Sequence, residues 1–262
     1  MSACTTLETQ SEVETTRDTR LTPLNDASHL PGPMAEAYSK HAASIPQGKH
    51  LDYDLALTFG GSERFRGDIR HSPSTDRIAL TRGTDGASIR FDGKDVAIVP
   101  DTATWQGARF TAFTWPYFAA APYKLADPGT KWGDMEPYRW ENGEEASGSK
   151  LTFSEGTGDA PDDYYIAFRD DQGRLDGLAY IVTYGKGPDG QSSAEPHAIR
   201  YSDYRDIDGV PVAHRWDFYM WTEAGGLGEA LGFANVSNVA WVEASEAAFS
   251  TTGGKLVPAP GK

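Results

Sequence analysis

Leu51-Asp52-Tyr53-Asp54-Leu55-Ala56-Leu57-Thr58-Phe59 sets a large apolar side chain at every second position. That is the period of a strand with one face buried and the other wet. Gly60-Gly61 follows, two residues that take positive φ without steric cost. Residues 63–71 alternate again, with Phe65 and Ile69 on one side and Arg64, Arg66, Asp68 and Arg70 on the other. Strand, two-residue turn and strand make an antiparallel hairpin. The pattern continues through 77–81, 87–91 and 95–99, separated by Asp85-Gly86 and Asp92-Gly93. It resumes over 150–154, 163–169, 175–184, 197–206, 210–221 and 233–242, with turns at Asp171-Gln172-Gly173, Pro188-Asp189-Gly190 and Asp208-Gly209. Residues 131–147 read as a loop, and Gly225-Gly226-Leu227-Gly228 as a flexible one.

Two segments break the strand rhythm. Residues 34–43 follow Pro31-Gly32-Pro33 and are rich in helix formers, with Met34, Ala37 and Tyr38 on one face; proline at a helix start suits this reading. Residues 107–125 carry Phe110, Phe113, Trp115, Tyr117 and Phe118, and read as one or two helical turns interrupted by Pro116 and Pro122. The sum is a mainly β fold with helices (α+β). Its expected form is an incomplete antiparallel β-barrel, or strongly curved sheet, of about 10–11 strands around a central helical plug or lid. Plug and lid bury the same helix face, so both stay open here.

Composition narrows the function. The 262 residues hold 24 basic and 38 acidic side chains, a net charge of −14. Such a chain lacks the basic footprint that nucleic acid demands and is not drawn electrostatically to anionic lipid. One cysteine excludes an intrachain disulfide and a thiolate zinc cluster. The six histidines fall at 29, 41, 50, 71, 197 and 214 with no ligand-like pairing, so no metal or other cofactor is expected. No Gly-x-Ser-x-Gly elbow is present and Gly185-Lys186-Gly187-Pro188 lacks phosphate-loop spacing. No catalytic residue is assigned, and the chain is read as a non-enzyme.

The cysteine is Cys4, in Met1-Ser2-Ala3-Cys4, followed by a polar stretch that cannot repay its ordering entropy. Ser2-Ala3-Cys4 resembles the end of a bacterial lipoprotein signal, in which the cysteine is acylated; the alternative is an incidental thiol in a disordered tail. Residues 1–29 are expected as a flexible polar tether, 30–250 as one domain, and 251–262 as a disordered C-terminal tail.

The order of parts is also informative. A helix precedes the strand at Leu51, hairpins lead into Tyr117-Phe118-Ala119-Ala120-Ala121-Pro122-Tyr123-Lys124-Leu125, and Asp203-Tyr204-Arg205-Asp206-Ile207-Asp208-Gly209-Val210-Pro211 forms a strand–turn–strand. This resembles the LolA/LolB-like superfamily of bacterial envelope lipoprotein carriers, over roughly residues 30–250. The resemblance implies a half-barrel domain enclosing a hydrophobic cavity that takes acyl chains. The partner would be a lipid or lipoprotein acyl chain, the location the bacterial cell envelope, and membrane contact only through a lipid anchor at Cys4. The expected lining is Leu55, Leu57, Phe59, Phe65, Ile69, Leu80 and Phe91 from the sheet, gated by Phe110, Phe113, Trp115 and Phe118. Two other readings compete. One is a carbohydrate- or protein-binding surface built on Trp105, Trp132, Tyr138 and Trp140. The other is a hydrolase using loop carboxylates among Asp134, Glu136, Glu141, Glu144 and Glu145.

Overall fold

The computed structural model describes residues 21–157, 159, 160, 162–184 and 194–259. Cys4, most of the expected tether and the turn at 188–190 lie outside them. Five strands come first: β1 (Lys49–Phe59), β2 (Ser62–His71), β3 (Ile78–Arg82), β4 (Ser88–Phe91) and β5 (Val96–Val99). After the central helix come β6 (Thr130–Arg139), β7 (Glu145–Phe153), β8 (Tyr165–Arg169) and β9 (Leu175–Tyr180). The last four are β10 (His197–Ile207), β11 (Val210–Thr222), β12 (Gly226–Glu243) and β13 (Lys255–Val257). All thirteen join one sheet, in the order β13-β5-β4-β3-β2-β1-β12-β11-β10-β9-β8-β7-β6. Every ladder is antiparallel. Its two end strands do not pair, so the curved sheet stays an open half-barrel, as expected.

The opening hairpin forms as its glycines require. Phe59 pairs with Ser62 across Gly60 (φ 55°) and Gly61 (φ 72°), a two-residue turn whose twist matches the strands. The long strand ladder β1–β12–β11–β10 makes the centre of the sheet. Leu51, Tyr53, Leu55 and Leu57 of β1 are buried with Ile69, Leu80, Ile199, Phe218 and the central helix in one core.

The central segment differs from the sequence reading. It is one helix, α2 (Ala108–Lys124), running through both prolines. A proline at 122 cannot donate to the carbonyl of Phe118, four residues back. The Tyr201 hydroxyl of β10 supplies the missing donor, 2.8 Å from that oxygen. One hydrogen bond thus lets the helix continue and ties it to the sheet. The first helix, α1 (Gly32–Ala42), packs on α2 and on β11. His41 is fully buried there; Nδ1 donates to the Pro211 carbonyl (3.1 Å) and Nε2 accepts from the Leu175 N–H (3.1 Å). That pairing suits neutral imidazole only, and burial holds its pKa down at about 4.

Four further expectations are corrected. Residues 131–147 are mostly strand: β6 is an edge strand with a bulge between Trp132 and Met135, and it tolerates Pro137, because an edge needs no second row of N–H donors. The glycine-rich 225–228 stretch opens β12 rather than forming a loop. Gly226 sits at φ 73°, where a Cβ would stand 2.1 Å from the Trp140 carbonyl oxygen, and Leu227 N–H donates to that oxygen. At the C-terminus, β13 pairs with β5, Leu256 opposite Ala97, so an ordered strand replaces the expected frayed tail there. Residues 21–29 are also docked. Thr22 N–H donates to Ile45 O (2.7 Å) and Asn25 N–H to the Tyr38 hydroxyl (2.8 Å).

Candidate ligand-binding cleft

The interior is not uniformly filled. Where the C-terminal part of α2 meets β1, β10 and β11, a crevice of only about 10 Å³ is left. Where the N-terminal part passes the other end of the sheet, a cleft of about 540 Å³ opens. Four places in the fold build its walls. Phe110, Thr114, Trp115 and Phe118 come from α2, and Phe59 and Gly60 from the end of β1. Glu229, Ala230 and Leu231 come from β12, while Tyr180, Val182, Glu195 and His197 lie at or near the ends of β9 and β10.

Ring contacts fix most of these walls. Phe59 lies 4.8 Å from Phe218 and 6.4 Å from Trp115 between centroids, Phe118 lies 5.1 Å from Tyr180, and Phe110 5.7 Å from Tyr184. The Thr114 hydroxyl donates to Phe110 O at 2.7 Å, so its polarity is spent on the helix backbone. Asp163 accepts from both the N–H and the hydroxyl of Thr183, each at 2.7 Å, which positions the segment carrying Val182 and Tyr184. Burial pushes the Asp163 carboxyl up, against those two bonds. At the start of α2, Gly107 offers no side-chain cap. The Arg109–Asp159 ion pair holds that end instead, with the two side chains 13% and 19% exposed.

The expected lining residues divide sharply. Phe59, Phe110, Trp115 and Phe118 line the cleft. Leu55, Leu57, Phe65, Ile69 and Leu80 are buried in the packed core, and Phe91 and Phe113 pack against it and against each other (5.0 Å). The reason is steric: α2 lies directly on β2, β3 and β4, leaving no room between. Sequence reasoning missed Tyr180, Val182, Glu195, His197 and 229–231. Tyr180 fell within an expected strand, but nothing in its alternation says that the helix stops short of it.

The surface aromatics are also placed. Trp140 is buried in a second, smaller core on the outer face of the sheet, stacked on Phe168 at 4.0 Å with Nε1 donating to Asp176 (2.6 Å). Trp105 lies against Phe65 and under the Arg82 guanidinium, and Trp132 donates to Leu125 O at 3.0 Å. Tyr138 donates to Glu136 at 3.3 Å. Glu141 pairs with Arg200, and Glu145 with Arg139. Among the described residues, no group of three or more His, Cys, Asp or Glu could hold a metal ion, and no helix is long and apolar enough to cross a membrane.

With this geometry established, the fold can be compared with known ones. No protein-family model matches the chain, and no curated protein does. Among solved structures, the chain is similar to a LolA superfamily protein from Nitrosomonas europaea. That match has 11% identity and a TM-score of 0.53, covering 83% of this chain and 96% of that one. It is also similar to a DUF1329 family protein from Desulfovibrio piger, at 11% identity and a TM-score of 0.47, covering 83% and 95%. The first of these likenesses, with the sheet topology, shows a LolA-like fold: an open antiparallel half-barrel around a helix.

Proposed function

We propose that this chain is a non-catalytic envelope protein that takes one acyl chain, from a lipid or a lipoprotein, into the cleft beside α2. The observation that carries the reading is the cleft itself. Its volume of about 540 Å³ falls within the ordinary range for small-molecule sites, about 300–1,000 Å³. Its walls are mainly aromatic and aliphatic, with the polar groups few. Burying a chain there would contribute about 0.8 kcal/mol per methylene, so affinity requires no charge on the chain. The N-terminal half of α2 serves as the movable wall, the C-terminal half as a fixed plug. Acylation of Cys4 would hold the protein at a membrane without any spanning helix, and 30–250 acts as the single carrier domain. The aromatic-surface reading has less support, because Trp140 and Trp132 spend their N–H groups and faces inside the fold.

The test is direct. Delipidated protein is incubated with envelope lipid extract and examined by native mass spectrometry. Retained acyl-bearing adducts, lost on Ala230→Trp, are expected. A protein that retains nothing contradicts the proposal.

A further inference from the structure

The packed end of the half-barrel hides polar atoms that its own side chains do not satisfy. Tyr53 of β1 and Tyr123 of α2 both line the crevice of about 10 Å³. They are 2% and 6% exposed, and neither hydroxyl has a hydrogen-bond partner among the described residues. The two phenols are near neighbours: after burial, Tyr123 is what holds the Tyr53 pKa above its ordinary value. Two adjoining rings are in the same condition. His71 meets Tyr53 edge-on at 5.9 Å and Trp241 lies 6.4 Å from Tyr123, and His71 Nε2 and Trp241 Nε1 are likewise buried without a partner among the described residues. In the ladders His71 and Trp241 flank Leu51, which also lines the crevice. A buried polar group left unpaired is costly, and folded proteins leave few of them. Four gathered in one corner require a partner that the side chains do not supply.

We propose that an ordered water binds in this crevice and bridges Tyr53 and Tyr123, with Tyr201 as its third partner. The space suits a single molecule, since a water needs about 10–15 Å³. The partners suit it as well. Tyr201 lines the crevice, and its hydroxyl, which donates to Phe118 O at 2.8 Å, keeps lone pairs free to accept. Tyr53 and Tyr123 donate to the water, and the water donates to Tyr201, which makes about three hydrogen bonds, the usual number for a buried water. An ion does not fit: no charged side chain lines the crevice, and an unpaired charge there would be heavily penalised. Because Tyr53 stands on the sheet and Tyr123 on the helix, the bridge is a second tie between α2 and the strands, beside the Tyr201–Phe118 bond. It stands independently of what the cleft binds.

A high-resolution crystal structure of the full chain tests the bridge. Wild-type density should show a water about 2.5–3.0 Å from both the Tyr53 and the Tyr123 oxygen, and the double variant Tyr53→Phe/Tyr123→Phe should lose it. In solution, the urea midpoint should fall in each single variant. In the double variant it should fall by less than the sum of the two, as for groups that share one partner. Oxygen-17 relaxation dispersion should find fewer long-lived internal waters in the double variant than in wild type. Hydroxyls bonded directly to each other, a water on only one of them, a crevice without water density, or strictly additive losses would each overturn the inference. If the double variant does not fold, the wild-type density decides alone.

Discussion

The two halves of α2 belong to one continuous helix, yet they meet different neighbours and do different work. From Pro116 to Lys124 the helix is a plug. Pro116, Phe118, Ala120, Ala121, Pro122 and Tyr123 are buried, Tyr201 donates to its backbone, and Lys124 donates to Ser74 O at 2.9 Å. From Ala108 to Trp115 only Ala108 and Ala112 are buried; Phe110 and Trp115 stand half-buried along the cleft, while Phe113 packs against Phe91. An aromatic helix is therefore not a lid or a plug by composition. Which it becomes depends on whether the facing strands carry partners at the right height, and here they do for one half only.

The largest effect should follow from breaking the plug. Phe118→Ala removes a ring in contact with Trp115, Tyr180 and Phe218 and should cost about 3–5 kcal/mol in urea unfolding. Phe110→Ala, in the other half, should cost about 1 kcal/mol while weakening ligand binding. Equal losses would erase the distinction between the halves.

Acid should act on the packed region next. His41, on the helix that packs on α2, and His71, in the closed end, are buried and held at about 4, against 6.5 in the unfolded chain. Both shifts come first from desolvation of the charged ring. The unfolded chain therefore takes up the protons first as pH falls. Stability should be full above about pH 6.5, decline between 6.5 and 4, and level off below 4. The loss should be on the order of 3 kcal/mol per histidine. His41→Gln should shrink the slope of stability against pH in that window, measured by urea titration; an unchanged slope would show that His41 is not part of it.

A smaller effect is expected at the tie between helix and sheet. Tyr201→Phe leaves the Phe118 carbonyl, already deprived of a donor by Pro122, with no partner, and should cost about 1–3 kcal/mol. The partner variant Pro122→Ala restores a backbone donor and should reduce that cost. The smallest effect belongs to Arg109→Ala. Loss of the largely buried pair with Asp159 should cost about 1–2 kcal/mol, and raise amide hydrogen exchange over residues 108–115 while leaving 117–124 protected. Uniform exchange along the helix would contradict two independent halves.

Much of this could be read from the chain. Strict alternation in Leu51 to Phe59 and the paired glycines after it specify the central hairpin, because a one-residue slip would turn every leucine to water. Asp208-Gly209 likewise marks the β10–β11 turn, and both residues take positive φ. The failures have one physical character: each depends on a partner distant in sequence. Pro122 is tolerated because of Tyr201, Gly226 is required because of Trp140, and Lys255–Val257 forms a strand because β5 offers a free edge. The cleft was legible only in part for the same reason. Phe59, Phe110, Trp115 and Phe118 could be named as apolar and inward, but local pattern cannot report where two inward surfaces fail to meet.

Trp115 offers the most direct test of the central claim, that an apolar chain lies along the N-terminal half of α2. It lines the cleft, and the other six tryptophans do not. A single-chain lipid brominated along its acyl chain should quench tryptophan fluorescence saturably, and Trp115→Phe should abolish most of that quenching while the protein still binds the unbrominated lipid. Quenching that does not saturate, or that is the same in both proteins, would contradict the account.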